Sequence, residues 1–432
     1  SSSVAKIGAA GSRRGRGAAR GAGGGMAVPA SPAVPRAAET GCAPGGGKAC
    51  PGQGSAPPAR SRRRTRFDTA LALESVDKKV LAELTWSGIP EGLSRCEVWQ
   101  LLLGYRPLTR ERRAEALQRK REEYGELRRS LYDASPAVLH ADDGPSGEND
   151  SAGEAALLRQ IRKDLPRTRL RSGALCPAEL LVEHARIQEL MERVLFVWAV
   201  RQPASGYVQG LNDVLLPLIV VSLTDQSGCA VDRLDAELLR HLDEEQLAEV
   251  EADCYWCITK ILSEIFDHYT HGQPGIQRMV HRLKFIIRRI DPPLAAHLAA
   301  QGIDLLHTAF RWITCLMVRE LPMVCCVRLW DTLIAESALA AGQYRSGRAA
   351  GSEGGSAGFE ALLVYFCACF TAYFSARLQA MDFEAMTFFL QQMPTDGFTE
   401  AEVEVLLAEA YTLKCFFQEA PRHLNAESEA PA

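Results

Sequence analysis

Ile161-Arg-Lys-Asp164-Leu-Pro166-Arg167 is the stretch that decides how the chain is read, together with Gly206-Tyr207-Val208-Gln209-Gly210 further on. Residues 154–164 carry Leu157, Leu158 and Ile161 on one face, the spacing of an amphipathic helix. Pro166 disfavours the helical region at Leu165, which predicts that the helix stops there and that Arg167 leaves on a loop. Asp164, three residues earlier, is within reach to accept a hydrogen bond from that guanidinium and hold it in one pose. In the second stretch Gly206 and Gly210 bracket Tyr207 and Gln209, so the glutamine falls on a short loop before the apolar run 211–223. Between the two lies a pattern of Ile187, Leu190, Met191, Val194, Leu195 and Trp198, at i, i+3, i+4, i+7, i+8 and i+11. A helix of this kind belongs to the core and can bring both loops to one rim.

Outward from these stretches the text is helical almost throughout, and an all-α, two-lobed fold is expected. Folding is predicted to begin at residues 67–86, with Trp86-Ser-Gly-Ile-Pro90 as a turn into a helix carrying Val98, Trp99, Leu102 and Leu103. Residues 109–132 read as a charged helix, 133–153 as a polar linker, and 176–420 as nearly continuous helix with few strand signals. Thr399-x-x-Glu402 is a capping-box pattern that starts a last amphipathic helix. The segment 336–358, rich in Gly, Ala and Ser, is expected to be a disordered insertion, and 426–432 a disordered end of a domain spanning 67–425. Trp312, Arg328, Trp330 and Asp331 read as core aromatics and a buried ion pair.

Charge is divided unevenly. Residues 1–66 hold twelve Lys and Arg against the single acid Glu39, a net of +11, while the whole chain carries −4, leaving −15 on the remainder. This Gly-, Ala-, Pro- and Arg-rich segment has little to bury and is expected to be a disordered tail, with Arg62-Arg-Arg-Thr65-Arg66 as solvated linker. No apolar run of the length of a secretory signal follows the early arginines. No uninterrupted run reaches the roughly 18 apolar residues of a membrane span, so any membrane association is expected to be peripheral or through a partner. Most of the thirteen cysteines sit in apolar helical text as small hydrophobes. Cys254-x-x-Cys257 lacks the second pair of a zinc site, and no metal is expected. Gly45-Gly-Gly-Lys48-Ala49 lacks the hydroxyl residue and the earlier glycine of a phosphate-binding loop, so the chain has no evident nucleotide pocket of its own.

Ile161-x-x-Asp164-x-x-Arg167 and Tyr207-x-Gln209-Gly210 resemble the two signature motifs of the TBC-domain family of Rab GTPase-activating proteins. Gly88-Ile-Pro90, Trp99-Gln-Leu-Leu-Leu-Gly104-Tyr105, Glu251-Ala-Asp-Cys-Tyr-Trp-Cys257, Phe310-Arg-Trp312, Arg319-Glu-Leu-Pro322 and Arg328-Leu-Trp-Asp-Thr332 occur in the family's order. Pro203-Ala-Ser-Gly-Tyr-Val-Gln-Gly210, Gln273-Pro-Gly-Ile276 and Leu406-Leu-Ala-Glu-Ala-Tyr411 are similar to its member 22 branch. The resemblance implies an activator of GTP hydrolysis in vesicle trafficking, cytoplasmic and peripheral at the Golgi or other endomembranes. Its partner would be a Rab small GTPase that brings its own GTP and Mg2+, so no cofactor of this chain and no nucleic acid is implied. It also implies the roles. Arg167 would stabilise the transition state and Gln209 orient the attacking water, supported by Ile161, Asp164, Tyr207, Gly210, Asn212 and Asp213. The family's arginine after Gly-Ile-Pro corresponds to Arg95 only with one extra residue. The alternative is a catalytically weak scaffold that tethers a GTPase or a Golgi adaptor, or a phospho-dependent partner on the tail.

Overall fold

The computed structural model describes residues 59–139, 151–168, 182–234, 237–345 and 358–419. Among these every regular element is helical, and the only extended pairing is an isolated bridge between Ser75 and Thr109. The helices are α1 (Ala59–Ala72), α2 (Lys78–Trp86), α3 (Arg95–Leu103), α4 (Arg113–Arg128), α5 (Pro136–Leu139) and α6 (Ser151–Asp164). They continue as α7 (Ala185–Arg201), α8 (Leu211–Ser227), α9 (Glu244–Glu264), α10 (Pro274–Ile290), α11 (Pro292–Ala300) and α12 (Leu305–Thr314). The last five are α13 (Met323–Arg345), α14 (Phe359–Tyr373), α15 (Ser375–Leu378), α16 (Phe383–Gln391) and α17 (Glu400–Glu419). None of the described helices is long and apolar enough to cross a membrane.

Local chemistry sets many of the boundaries. The Asp77 carboxylate accepts from the Lys79 and Val80 amides at the start of α2, and Ser94 Oγ accepts from the Glu97 amide at the start of α3. Asp243 and Gln246 form a reciprocal capping box on α9. On α17 half of the predicted box is present: the Thr399 amide donates to Glu402 Oε2 at 2.8 Å, while Thr399 Oγ1 accepts from the Ala401 amide at 3.3 Å.

Packing gathers the helices into two groups. In the first, α9 lies against α4, α7 and α8, and α6 lies against α7. In the second, α14 lies against α10 and α17, and α12 against α10. Helix α13 contacts both, touching α2, α3 and α8 on one side and α14 and α17 on the other. One contiguous apolar core runs through them. The whole predicted stripe of α7, Ile187 to Trp198, is buried in it.

Three boundaries read from composition are corrected. The tail predicted over 1–66 gives way to helix from Ala59, because Phe67 and Ala70 enter the core. Its arginines are not solvated linker: Arg63 donates to the Gly88 carbonyl, and Arg64 donates to the Glu91 and Gly92 carbonyls at 2.9 and 3.1 Å. Planar guanidinium donors reach the carbonyls of this turn, an outcome that charge counting does not reveal. The insertion predicted over 336–358 is helical as far as Arg345, with Glu336 accepting from Trp86 Nε1 at 2.8 Å and Ser337 donating to Glu264 at 2.6 Å. Averaging over the Gly-rich remainder masked the strong helix formers at its start. The polar linker predicted over 133–153 contains α5 and the first turn of α6, joined by Ser135 Oγ donating to Glu154 at 2.7 Å. Residues 1–58, 140–150, 346–357 and 420–432, which take in the rest of those segments and the predicted C-terminal tail, lie outside the described residues.

The expected ion pair is also redistributed. Asp331, fully buried, is bound by Arg95 and not by Arg328: it accepts from Arg95 Nε at 3.1 Å, from the Ile89 amide at 3.0 Å and from Trp99 Nε1 at 2.8 Å. Arg328 instead donates to Thr332 Oγ1 at 2.8 Å and lies 3.4 Å from Glu404. Arg95 Nη2 also donates to the Ile89 carbonyl at 3.3 Å, so the guanidinium lies directly behind Gly88-Ile-Pro90.

Candidate functional site

Helix α6 ends where Pro166 predicts, and Leu165–Arg167 forms a single tight 3-10 turn. Ile161 and Leu165 face the core, while Pro166 and Arg167 are exposed, with 60% of the Arg167 side chain accessible. The second segment leaves the C-terminus of α7, turns through Gly206 at φ +62° and enters α8 through Gly210 at φ +108°. Gln209 is exposed on this turn. A Cβ on Gly210 would sit 3.0 Å from Thr314 Cγ2 and 3.2 Å from Cys315 Sγ, so the loop rests directly on the end of α12 and glycine is required twice over.

The two segments are joined by hydrogen bonds. The Tyr207 hydroxyl lies 3.3 Å from Asp164 Oδ2 and 3.2 Å from Asn212 Oδ1, and can donate to either. Asn212 Nδ2 donates to Thr168 Oγ1 at 2.9 Å, and Asn212 Oδ1 accepts from the Gly210 amide at 3.1 Å. Thr168 Oγ1 in turn donates to the Asp164 carbonyl at 3.3 Å. Asp164 is buried and receives Gln160 Nε2 at 2.9 Å. Burial and the neighbouring Asp164 push the Tyr207 hydroxyl well above the usual tyrosine range, so it stays a neutral donor. The bridging side chains are thus buried or half-buried, and the two long polar ones are exposed on either side of them.

One expected contact is different. Arg167 Nη1 is 3.9 Å from Asp164 Oδ1, an ion pair without a hydrogen bond. The tight turn after Pro166 carries the guanidinium outward while Asp164 is held inside by Gln160 and Tyr207, so Asp164 anchors the loop and does not clamp the arginine.

Asp213 turns the other way, into the turn that follows α12. It is buried, with Oδ2 accepting from Cys315 Sγ at 3.6 Å and lying 3.8 Å from Arg319 Nη1. Oδ1 has no hydrogen-bond partner among the described residues. Burial pushes this carboxyl up from 3.8 to about 6, against the pull of Arg319. The folded protein therefore holds the proton more tightly than the unfolded chain, which gives a stabilisation present in full below about pH 4 and lost as pH rises through about 6. The size is on the order of 3 kcal/mol. Replacement Asp213→Asn is expected to abolish this share of the pH dependence. Urea denaturation of both proteins across that window measures it, and parallel stability curves would show that the carboxyl titrates normally. The same turn carries Leu316 at φ +48° and Met317 at φ +65°, two consecutive non-glycine residues in the left-handed region.

The sequence reading omitted Gln160, Thr168, Thr314 and Arg319 from the site. Gln160 lies one helical turn before Asp164, a spacing that could have flagged it. Thr168 and Thr314 carry no local signal, and Arg319 stood out only within the Arg319-Glu-Leu-Pro322 string. Among the described residues one group, Asp267, His268 and Glu360, gathers metal-type ligand atoms. Arg278 already spans it, bonding Asp267 at 2.8 Å and Glu360 at 3.0 Å, so the cation serving those carboxylates is a guanidinium.

The Rab-GTPase-TBC domain model matches residues 93–341. The GTPase-activating protein gyp1 of Schizosaccharomyces pombe is 37% identical over 363 residues, 84% of this chain and 63% of the relative. TBC1 domain family member 22B of Homo sapiens is 37% identical over 372 residues, 85% of this chain and 65% of the relative. The chain thus spans slightly less than two thirds of the length of these relatives. The crystal structure of the Ypt/Rab-GAP domain of Gyp1p superposes with a TM-score of 0.67 at 32% identity, covering 83% of this chain and 99% of that one. By fold, by the order of its motifs and by these matches, the chain belongs to the Rab-GTPase-TBC domain family.

Proposed function

We propose that the protein accelerates GTP hydrolysis by a Rab-family small GTPase, supplying Arg167 and Gln209 to the partner's active site. The observation that carries this reading is the hydrogen-bonded bridge of Tyr207, Asn212, Thr168 and Asp164. It ties two segments, distant in sequence, into one unit whose exposed groups are a guanidinium and a carboxamide. A guanidinium can neutralise charge that develops on phosphoryl oxygens. A carboxamide can accept from an attacking water and donate to a phosphate oxygen at once. Together they complete a site the partner half builds, with GTP and Mg2+ brought by the partner and no hydrolysis by this chain alone.

Work in vesicle trafficking, on the cytoplasmic side of endomembranes such as the Golgi, follows from the same family resemblance, as does an adaptor or phospho-dependent partner on the N-terminal tail. The catalytically weak scaffold rests on the altered Gly-Ile-Pro region and on the insertion after Thr332. The Arg95 to Asp331 pairing weighs against the first of these, since the guanidinium reaches both the buried carboxylate and the Ile89 carbonyl. Phosphate release from a panel of GTP-loaded Rabs tests the reading. Acceleration of at least one Rab by the wild type is expected, and a panel wholly unaffected would overturn it.

A further inference from the structure

We propose that Thr314 is the positioning residue for Gln209: its methyl is the seat of the glutamine loop, and the buried Tyr269 hydroxyl fixes the height of that seat. This rests on the role given to Gln209 above and concerns how its carboxamide is aimed. Tyr207 and Asn212 tie the loop to Asp164 and Thr168, so they serve both exposed groups at once. A separate support lies beneath the glutamine. The Gly210 amide donates to Asn212 Oδ1 at 3.1 Å, and a Cβ on Gly210 would stand 3.0 Å from Thr314 Cγ2. A Cβ on Gly206, before the glutamine, would meet nothing within 4 Å among the described residues. The loop is therefore carried from below at the peptide that follows Gln209, and Thr314 carries it.

Thr314 is itself firmly held. Its Oγ1 donates to the Phe310 carbonyl at 2.7 Å, closing the last turn of α12, and its carbonyl accepts from the Tyr269 hydroxyl at 2.8 Å. Just beyond, the left-handed pair Leu316 and Met317 is pinned from both sides: the Leu316 carbonyl accepts from Trp330 Nε1 at 3.3 Å, and the Met317 amide donates to the Trp312 carbonyl at 2.8 Å. Residues other than glycine stay in that region only where their surroundings over-determine them, and such strain gathers where a side chain must be aimed. A displacement of about 1 Å in a positioned group costs on the order of 100-fold in rate, so a rigid floor under one finger has a kinetic consequence.

Steady-state phosphate release with the full chain and a responsive Rab, varied in concentration, tests this. Thr314→Ser removes the methyl and keeps the hydroxyl on Phe310. It is expected to lower the saturated rate about tenfold, while the half-saturating Rab concentration moves by less than about threefold. Thr314→Val keeps the methyl and gives up the hydrogen bond, and is expected to lose less than Thr314→Ser. Tyr269→Phe, which removes one oxygen from a buried ring, is expected to lower the saturated rate in the same manner. Urea midpoints follow stability separately. If Thr314 served only the end of α12, the order would reverse, with Val worse than Ser because the hydrogen bond is what it loses. That order, or Thr314→Ser at the wild-type rate, would overturn the proposal. A wild type that stimulates no Rab would remove the role of Gln209 and this proposal together, whereas a stimulating wild type with an unaffected Thr314→Ser removes the proposal alone.

Discussion

Arg167→Lys is expected to lower the stimulated rate of GTP hydrolysis about 10³- to 10⁵-fold, nearly as far as Arg167→Ala. An arginine supplied to a GTPase contributes that range in other systems, equivalent to about 4 to 7 kcal/mol of barrier. Lysine keeps the charge but presents three rotatable donors in place of a planar fork, and so cannot bridge two phosphoryl oxygens. Folding should survive either change, because the side chain is mostly exposed and its ion pair with Asp164, at 3.9 Å, is not a hydrogen bond. Single-turnover phosphate release under saturating activator separates the chemical step from docking. Wild-type rates in Arg167→Ala would remove the guanidinium from the mechanism. Gln209→Ala is expected to fall with it and, since both groups serve one transition state, the double variant should lose little more than the worse single.

The second large effect concerns folding. Asp331→Ala is expected to destabilise the protein by about 3 to 5 kcal/mol, the usual consequence of removing one partner of a buried ion pair. The carboxylate is fully buried and serves the Ile89 amide, the Arg95 guanidinium and the Trp99 indole, so its loss strands three donors at once. Asp331→Asn keeps one acceptor oxygen and should lose less. Urea-denaturation midpoints measure the ranking, and an alanine variant within about 1 kcal/mol of wild type would mean that the donors find water or other acceptors.

What could be read ahead of the structure follows a physical division. The end of α6 at Pro166, the core stripe of α7 and the Thr399 start of α17 were legible because each is set by residues within a turn or two. So was the pairing of the two finger segments, but through family resemblance, since no spacing rule implies that Tyr207 reaches Asp164. The partner of Arg95 lies 236 positions away, and the choice between Asp331 and Arg328's other neighbours depends on how α3 crosses α13. Composition misled most where it averaged: the arginines of α1 look solvated until the turn whose carbonyls accept from them is found beneath.

That turn has a practical side. Phe67 seats α1 in the core, and Arg63 and Arg64 close the loop from Gly88 to Gly92. The family match begins at residue 93, downstream of all of this. A recombinant fragment trimmed to that edge would forfeit α1 and α2, expose the apolar flank of α13 that α2 covers, and deprive Arg95 of the carbonyl it steadies. A fragment that keeps these contacts starts no later than Arg63.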